Sequence, residues 1–267
     1  MPKKIYIVGA GPGVADLLTV RAATLLRAAE VVLHDDLVPQ EILDLCPASA
    51  HVINVGKRCG QRSRSQEQIN ALMVWHVRET EAQTIVRLKS GDPAVFGRLG
   101  EELDTLRRAG VEFEIVPGVT AASAAAASAK ITLTDRRTAS ALVVVTAHNC
   151  RNESLSKTVE PKRSTYALYM PGPDYSKTVQ GLLESGHQPG TPCAVVSNAG
   201  RKNEEVRHLT LQELASAKGI SAPAMLIVGE VAAVHPPQRH GDLLSKISRE
   251  TRDPYQHDRS PIHPGLG

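Results

Sequence analysis

The sequence predicts an α/β protein of two domains, and three observations support that prediction. Its 267 residues exceed the roughly 100–200 residues of a typical domain. Short runs of β-branched and apolar residues alternate with longer segments of helical periodicity, which is typical of βαβ units with a largely parallel sheet. The pair Pro117-Gly118 separates two such series. We therefore expect one α/β domain over residues 1–117 and a second over residues 118–234, each a mostly parallel sheet flanked by helices.

The first series alternates predicted strands with predicted helices. The strands cover residues 5–8, 31–33, 52–55, 84–88 and 113–116. Apolar residues recur at helical spacing over residues 18–29, and either Asp16 or Thr19 suits the N-cap of that helix. Further helices are predicted around residues 66–79 and over residues 101–108.

The second series begins with an alanine-rich segment, residues 121–129, for which the high helix propensity of alanine predicts a helix. The strands that follow cover residues 141–145, 166–169, 193–196 and 225–228. Beyond residue 234 the chain is rich in Pro, His, Arg, Ser and Gly and lacks the apolar residues that a core requires. We expect residues 235–267 to form an irregular or disordered tail.

Composition argues against several kinds of function. Aromatic residues make up 3% of the chain, too few for the stacking platforms of a single-stranded nucleic acid binder, and a net charge of +3 is small for a general polyanion binder. The four cysteines are scattered, so reduced thiols are expected, and the histidines lack metal-ligand spacing, so no metal is expected. Neither a signal peptide nor an apolar run of the ~18 residues that span a membrane is present. We expect a cytoplasmic protein with no membrane or nucleic acid partner.

A glycine loop, Gly9-Ala-Gly-Pro-Gly13, follows the first predicted strand and precedes a helix. Such a loop lets a ligand contact backbone N–H groups near a helix N-terminus. It nearly matches the G-x-G-x-x-G pattern of dinucleotide-binding proteins, and Asp35-Asp36 follow the second strand, where a ribose-binding acid would lie. Val14, however, occupies the position of the third glycine. An NAD(P)-dependent oxidoreductase, or a binding module in which the loop is only structural, is an alternative at this point.

A second loop carries the densest group of polar residues. The strand that ends at Leu88 is followed by a turn, Ser90-Gly91-Asp92-Pro93, and then by a helix. Arg98 and Glu101 are three residues apart, so they share one helical face. The pattern fits either a binding site or an ordinary surface ion pair.

These loops belong to ten motifs that follow one another along the chain. The motifs cover residues 8–13 with 18–19, 32–38, 55–58, 87–98, 116–121, 133–136, 145–148, 169–170, 197–199 and 223–230. Together they resemble the S-adenosylmethionine-dependent tetrapyrrole methylases, most closely the uroporphyrinogen-III C-methyltransferases. Ten motifs in register are far more specific than a single glycine loop.

The resemblance implies a two-domain homodimer that holds S-adenosylmethionine, and its product S-adenosylhomocysteine, in the cleft between the domains. Carried over motif by motif, the cofactor contacts are Pro12, Ser90, Gly91, Asp92, Val95, Thr120, Ala121, Met170 and Ala199. The substrate would be a porphyrinogen with eight carboxylates, bound by Arg98 and Arg136 with Glu101 beside the former. Asp35 corresponds to a proposed proton acceptor and Lys57 to a proposed proton donor. Arg98 or Glu101 could share that catalytic duty.

The function implied by the resemblance is C-methylation of uroporphyrinogen III at two pyrrole carbons, C2 and C7. The product would be precorrin-2, formed via precorrin-1, for siroheme or cobalamin biosynthesis. A methylase of a later precorrin is the nearest alternative. Four residues depart from the family's pattern, namely Val14, Asp36, Ser90 and Asp135. Of these, Asp135 could weaken a carboxylate-binding site at Arg136.

Overall fold

The computed structural model describes residues 3–56, 64–147 and 161–233. The strands of this part are β1 Lys4–Gly9, β2 Val31–His34, β3 His51–Asn54, β4 Thr84–Lys89, β5 Glu112–Val116, β6 Ala141–Thr146, β7 Ser164–Tyr169, β8 Pro192–Ser197, β9 Glu205–Thr210 and β10 Ala224–Val228. Its α-helices are α1 Val20–Arg27, α2 Gln40–Leu43, α3 Gln66–Glu79, α4 Leu99–Arg108, α5 Ala121–Ser128, α6 Tyr175–Glu184 and α7 Leu211–Ser216. The predicted tail over residues 235–267 lies outside the described residues.

The first sheet is parallel throughout, as predicted. Its strand order is β3-β2-β4-β1-β5, and every neighbouring pair runs in the same direction. One face packs on α3 and α4 through Met73 and Leu106, and the other packs on α1 through Leu26. The inner strands β1, β2 and β4 are mostly buried on both faces and rich in apolar residues, whereas the edge strands β3 and β5 are largely exposed or half-buried. All five were predicted from the sequence.

The second sheet is mixed, so the expectation of a mostly parallel sheet holds only in part here. Its order is β6-β7-β10-β8-β9, with β6 and β7 parallel and the other three pairings antiparallel. Only residues 198–204 separate β8 from β9, fewer than the dozen or more that a parallel crossover requires. Strand β9 was not predicted, because this edge strand reads Glu-Val-Arg-His-Leu-Thr and is only partly buried.

Helices cover both faces of the second sheet. Helix α5 packs on one face through Ala125 and Ala126, and α6 and α7 pack on the other through Leu182 and Leu211. The two sheets lie on either side of the domain boundary predicted near residue 117, and that boundary stays a prediction.

Side-chain caps fix the beginning of two of the predicted helices, α1 and α3. Thr19 accepts a hydrogen bond from the N–H of Ala22 at 3.2 Å and so caps α1. Ser65 and Gln68 form a capping box that starts α3 at the predicted residue. The alanine-rich helix also forms where it was predicted, whereas α2, α6 and α7 were not predicted. In the described part of the chain, no helix combines the length and the apolar character needed to cross a membrane.

Three glycines let the ends of the central strands of the first sheet approach one another. Gly9 ends β1, Gly91 follows β4 and Gly118 follows β5. A Cβ atom on Gly9 would lie 2.6 Å from the Cα atom of Gly118 and 2.7 Å from the carbonyl oxygen of Gly91. Gly91 and Gly11 also exchange two backbone hydrogen bonds, of 3.2 and 2.8 Å. These contacts place the glycine loop directly against the turn after β4.

Replacement of Gly118 by alanine is expected to lower the free energy of unfolding by about 3 kcal/mol, the upper end of the range for overpacking. The new Cβ atom would lie 2.9 Å from the Cα atom of Gly9, and backbone atoms cannot rotate away. Gly100→Ala is the matched control, because a Cβ atom there meets nothing within 4 Å and alanine favours a helix by about 1 kcal/mol over glycine. Urea unfolding of both variants checks this, and equal midpoints would contradict it.

Candidate active site

The carboxyl ends of strands β2 and β4 meet at Asp35. The N–H of Asp35 donates to the carbonyl oxygen of Leu88 at 3.0 Å, and the N–H of Ser90 donates to Asp35 Oδ2 at 3.2 Å. Ligands of open parallel sheets bind outside the carboxyl ends of the strands. Asp35 and the turn that begins at Ser90 therefore lie where this fold binds ligands.

A buried network of charged side chains holds Asp35 in place. Arg87 Nη2 lies 2.6 Å from Asp35 Oδ1, and Arg87 Nε lies 3.0 Å from Glu102 Oε1. Lys89 Nζ contacts the same Glu102 oxygen at 2.8 Å, and Gln66 Nε2 donates to it at 3.4 Å. Arg87 and Lys89 are 2% exposed and Glu102 is 0% exposed. The four charged groups balance, two positive and two negative, which is the condition under which charges are tolerated in a core.

This network was missed in the sequence. Arg87 and Lys89 are two residues apart on the buried central strand β4, so their side chains leave the sheet on the same face. Two basic residues on one face of an otherwise apolar central strand are the signal that could have revealed it, because such charges need partners in the core.

The network also sets the charge state of the Asp35 carboxyl. Burial raises its pKa, but the charges of Arg87 and Lys89 outweigh that effect and the net pKa is lowered. Burial and the charge of Arg87 together lower the pKa of Lys89, against the opposing pull of Glu102. Asp35 is therefore ionised at neutral pH.

Asp92 organises the turn after β4. Its Oδ1 accepts from the N–H of Ala94 at 2.8 Å and its Oδ2 from the N–H of Gly118 at 3.1 Å. The carbonyl oxygen of Asp92 accepts from the N–H of Val95 at 3.2 Å. The carboxylate thus joins the loops after β4 and β5, a role that the sequence did not indicate. A direct contact of Asp92 or Val95 with a cofactor stays a prediction.

Tyr169, at the end of β7, joins the second sheet to these loops. Its hydroxyl is hydrogen-bonded to Thr120 Oγ1 and accepts from the N–H of Ala122 at 3.2 Å. Its ring lies 5.0 Å from the ring of Phe96. Next to it Met170 is 52% exposed. Thr120, Met170 and the turn after β4 are thereby brought together, as the motifs imply.

Ala121, the first residue of α5, lies over the glycine turn. A Cβ atom on Gly91 would be 4.0 Å from the backbone nitrogen of Ala121. A Cβ atom at Gly91 would thus have room, and the contact of Gly91 and Ala121 with a cofactor stays a prediction.

Pro12 and Gly200, the neighbour of Ala199, are far apart in the sequence but close in the fold. A Cβ atom on Gly200, the neighbour of Ala199, would lie 3.4 Å from Pro12 Cγ and 3.6 Å from Val14 Cγ2. Val14, a departure from the family's pattern, is thus a packing residue at this contact.

Arg201 makes a further connection that the sequence did not suggest. Its Nη2 donates to the carbonyl oxygen of Leu37 at 2.8 Å. A Cβ atom on Gly13 would lie 3.1 Å from Arg201 Cζ, so the guanidinium lies directly on the glycine loop. Arg201 therefore holds the loop that carries Pro12 and the turn that carries Asp35.

Strained backbone is concentrated around these loops. Non-glycine residues with φ between 49° and 54° include Phe96, Arg98, Met170 and Asn198. Such conformations cost on the order of 1–3 kcal/mol each and are typical of functional sites.

Arg98 and Glu101 form a bidentate ion pair on the first turn of α4. Arg98 Nε and Nη2 lie 2.7 and 2.6 Å from the two carboxylate oxygens of Glu101. The hydrogen bond to Glu101 raises the pKa of Arg98. Both side chains are about half exposed, so an acidic ligand can reach the guanidinium.

Arg136 lies on an exposed turn with Asp135 and Arg137. Arg137 Nε and Nη2 contact the Asp135 carboxylate at 3.0 and 2.6 Å. The hydrogen bond from Arg137 lowers the pKa of Asp135 to about 2. The partner of Asp135 is thus Arg137, and these hydrogen bonds leave the Arg136 side chain out.

Lys57, the predicted proton donor, lies outside the described residues, as does His148 of the motif at residues 145–148. Asp36, a departure from the family's pattern, accepts from Asn54 Nδ2 at 3.0 Å. Among the described residues, no group of three or more His, Cys, Asp or Glu side chains could hold a metal ion.

A family model described as Tetrapyrrole (Corrin/Porphyrin) Methylases matches residues 4–215 of the chain. The chain belongs to this family. The resemblance found in the sequence motifs is therefore confirmed.

Two relatives illustrate the range of proteins that this tetrapyrrole methylase resembles. A uroporphyrinogen-III C-methyltransferase of Paracoccus denitrificans is 41% identical, over 86% of this chain and 82% of the relative. Siroheme synthase 1 of Pectobacterium atrosepticum is 42% identical, over 87% of this chain and 48% of the relative. The chain spans about half the length of the siroheme synthases that it matches.

Solved structures share the fold. The uroporphyrin-III C-methyltransferase of Thermus thermophilus, complexed with S-adenosylhomocysteine, is 36% identical with a TM-score of 0.72, over 85% of this chain and 98% of that one. A cobalt precorrin-4 methyltransferase is 32% identical with a TM-score of 0.75, over 86% of this chain and 96% of that one. The prediction of a two-sheet tetrapyrrole methylase fold is confirmed.

The residues of the site fit the cofactor that the family uses. Ser90 Oγ is buried without a hydrogen-bond partner among the described residues, so its hydroxyl is available to a polar group of a ligand. Side chains are missing at the backbone crossing of Gly9 and Gly118, and the exposed thioether of Met170 offers a soft apolar contact. A ligand with both polar and apolar parts, such as S-adenosylmethionine, suits these features.

The Asp35→Asn variant is expected to be about 2 kcal/mol less stable than the wild type at pH 7, because a partner of the buried Arg87 loses its charge. A carboxyl group whose pKa is lowered in the folded state stabilises above its unfolded pKa, and this is lost as the pH falls through the folded pKa. The difference should therefore shrink below about pH 4.

Urea unfolding at several pH values measures this difference. Asp104→Asn is the control, because that carboxylate is 65% exposed in an ion pair with Arg107 and should contribute at most about 0.5 kcal/mol at any pH. A loss for Asp35→Asn that does not change with pH would contradict the expectation.

Proposed function

We propose that this methyltransferase uses S-adenosylmethionine to methylate uroporphyrinogen III at C2 and C7, giving precorrin-2 via precorrin-1. The observation that carries the proposal is the ionised Asp35 carboxylate, fixed by Arg87 at 2.6 Å where the loops of both sheets meet. Support comes from the similarity to uroporphyrinogen-III C-methyltransferases. The similarity to siroheme synthases favours siroheme as the end product.

The cofactor supplies an electrophilic methyl group on a sulfonium. We place its polar end at Ser90, because the Ser90 hydroxyl is buried without a protein partner. Gly91, Asp92, Thr120 and Ala121 would present backbone and small polar groups to it. The remaining predicted contacts, at Pro12, Val95, Met170 and Ala199, would enclose its apolar parts. The protein's main contribution is to orient the two reactants.

Asp35 is suited to accept the proton that the ring system loses. Attack by a neutral, electron-rich pyrrole carbon on a methyl cation equivalent leaves the ring positively charged, and a positively charged ring is acidic. A weak base that is always ionised therefore suffices, and Arg87 keeps Asp35 in that state. Lys57 remains our candidate for the proton donor.

Arginine is the natural residue to hold the substrate, because its planar fork pairs with carboxylates. Arg98 would exchange Glu101 for a substrate carboxylate, which its exposure of 46% permits. Arg136 would bind another carboxylate. The pyrrole carbons would thereby be held in register with the cofactor.

Two other functions are less well supported. A methylase of a later precorrin has in its favour the similarity to cobalt precorrin-4 methyltransferase. An NAD(P)-dependent oxidoreductase is opposed by Val14, which occupies the position of the third glycine in the dinucleotide-binding pattern. We also propose that the active enzyme is a cytoplasmic homodimer, with its site in a cleft between domains over residues 1–117 and 118–234.

Incubation with uroporphyrinogen III and S-adenosylmethionine is expected to add two methyl groups to the substrate, as measured by mass spectrometry. Calorimetry should detect binding of S-adenosylhomocysteine and none of NAD(P)H. Methylation of a later precorrin alone would favour the first alternative, and binding of NAD(P)H alone would favour the second.

The Arg98→Ala and Arg136→Ala variants are each expected to lower kcat/KM for uroporphyrinogen III by about 10- to 100-fold. This corresponds to the ~1.5–3 kcal/mol of a hydrogen bond between charged groups. Affinity for S-adenosylhomocysteine should not change. Arg107→Ala is the matched control, because Arg107 forms the same kind of exposed i,i+3 pair on α4, with Asp104 at 3.3 Å. Unchanged turnover in both variants would remove these arginines from the substrate site.

A further inference from the structure

Lys89 and Glu102 form a buried ion pair that is connected to Asp35 through Arg87. Lys89 Nζ lies 2.8 Å from Glu102 Oε1, and neither residue contacts Asp35 directly by a hydrogen bond or ion pair in the described part of the chain. Arg87 is the link, because it contacts Glu102 with Nε and Asp35 with Nη2. The hydrogen-bonded connection between Glu102 and Asp35 therefore runs through one guanidinium, while Lys89 also acts on Asp35 through its charge.

The hydrogen bonds of this cluster converge on a single carboxylate oxygen. Arg87, Lys89 and Gln66 all donate to the same oxygen, Glu102 Oε1. The other oxygen, Oε2, is buried with no hydrogen-bond partner. Because these donors share one oxygen and the cluster is buried, a change in charge at Glu102 or Lys89 alters how Arg87 divides its hydrogen bonds between the two carboxylates.

The groups that face Lys89 come from each element packed around it. Strand β2 contributes Asp35, β4 itself contributes Arg87, and α4 contributes Glu102. Helix α3 presents the neutral amide of Gln66 to Glu102. The turn before α4 presents Gly97, where a Cβ atom would lie 3.0 Å from Lys89 Cε.

We propose that Lys89 and Glu102 are positioning residues for methyl transfer. As a charge-balanced pair they divide Arg87 between two carboxylates and so keep Asp35 oriented at the end of β2. This inference rests on the proposed function, because it takes Asp35 as the proton acceptor. With Glu102 neutral, two cations would compete for Asp35, and with Lys89 neutral, Glu102 would draw Arg87 away from it.

The test is a double-mutant cycle with Glu102→Gln, Lys89→Met and the double variant, each followed from pH 6 to pH 9. Glu102→Gln leaves one positive charge in excess, which a rise in pH relieves by deprotonating Lys89, whose pKa burial already lowers. In this pH range the unfolded chain keeps its lysine protonated, so folded stability increases as the pH rises. The stability deficit of Glu102→Gln should therefore shrink toward pH 9.

The double variant restores charge balance, since it removes one group of each sign. Its stability deficit should be smaller than the sum of the two single deficits and should not depend on pH. If Glu102→Gln does not fold, the double variant still should. The exposed pair Arg107 and Asp104 on the same helix supplies the control cycle, for which simple additivity is expected.

If the pair positions Asp35, kcat should show the same coupling and pH dependence as the free energy of unfolding. At pH 7 the kcat of Glu102→Gln should be about 10-fold or more below the wild type, and the gap should close toward pH 9, while the double variant should lose less than the two single losses combined and its loss should not change with pH. Affinity for S-adenosylhomocysteine should stay constant throughout.

Additive, pH-independent losses would overturn the proposal, because they indicate packing alone. Stability changes of the expected kind with an unchanged kcat would overturn the positioning role and leave the proposed function intact. If the wild type does not methylate uroporphyrinogen III, the proposed function and the positioning role fail together, and the stability cycle still reports whether the charges are coupled.

Discussion

The pairing of buried charges at the centre of the first sheet is the constraint on which the candidate site depends. Arg87 and Lys89 project from strand β4 into the core, where an unpaired charge costs several kcal/mol. Glu102 offsets that cost by pairing with both cations, which requires α4 to direct the Glu102 side chain into the core. Since successive helical residues are about 100° apart, this orientation directs Glu101 to the surface, and Arg98 with it. The pairing of the core charges and the exposure of Arg98, which we propose binds substrate, are thus two consequences of one helix orientation.

The candidate site also depends on close contact between three backbone loops. The loops after β1, β4 and β5 meet without intervening side chains because Gly9, Gly91 and Gly118 have none. Asp92 then fastens these loops by accepting from two backbone N–H groups. The ion network fixes the proposed base, and the glycine crossing holds the loops close together beside it, so a ligand bound at these loops would lie next to Asp35.

The inner strands of the first sheet could be predicted because strands buried on both faces are mainly apolar. Strand β9 could not, since at a sheet edge a strand needs few apolar residues, and its antiparallel pairing follows from a short loop after β8. The candidate cofactor residues were proposed from motifs, not from periodicity, because the approach of Pro12 to the loop at Gly200 is a tertiary contact. Charged residues are usually exposed, so Arg87, Lys89 and Glu102 were not recognised as one group.

The departures from the family's pattern have local compensations. Asp135 next to Arg136 was expected to weaken carboxylate binding, yet its carboxylate is held by Arg137. Two arginines and one aspartate leave this turn with one positive charge in excess, so an acidic substrate still meets a favourable potential. Ser90 adds a hydroxyl that no protein group satisfies. Because an unpaired buried hydroxyl costs on the order of 1–3 kcal/mol, a ligand that supplies its partner recovers that energy, and the substitution of serine for glycine strengthens the case for a polar ligand group at this turn.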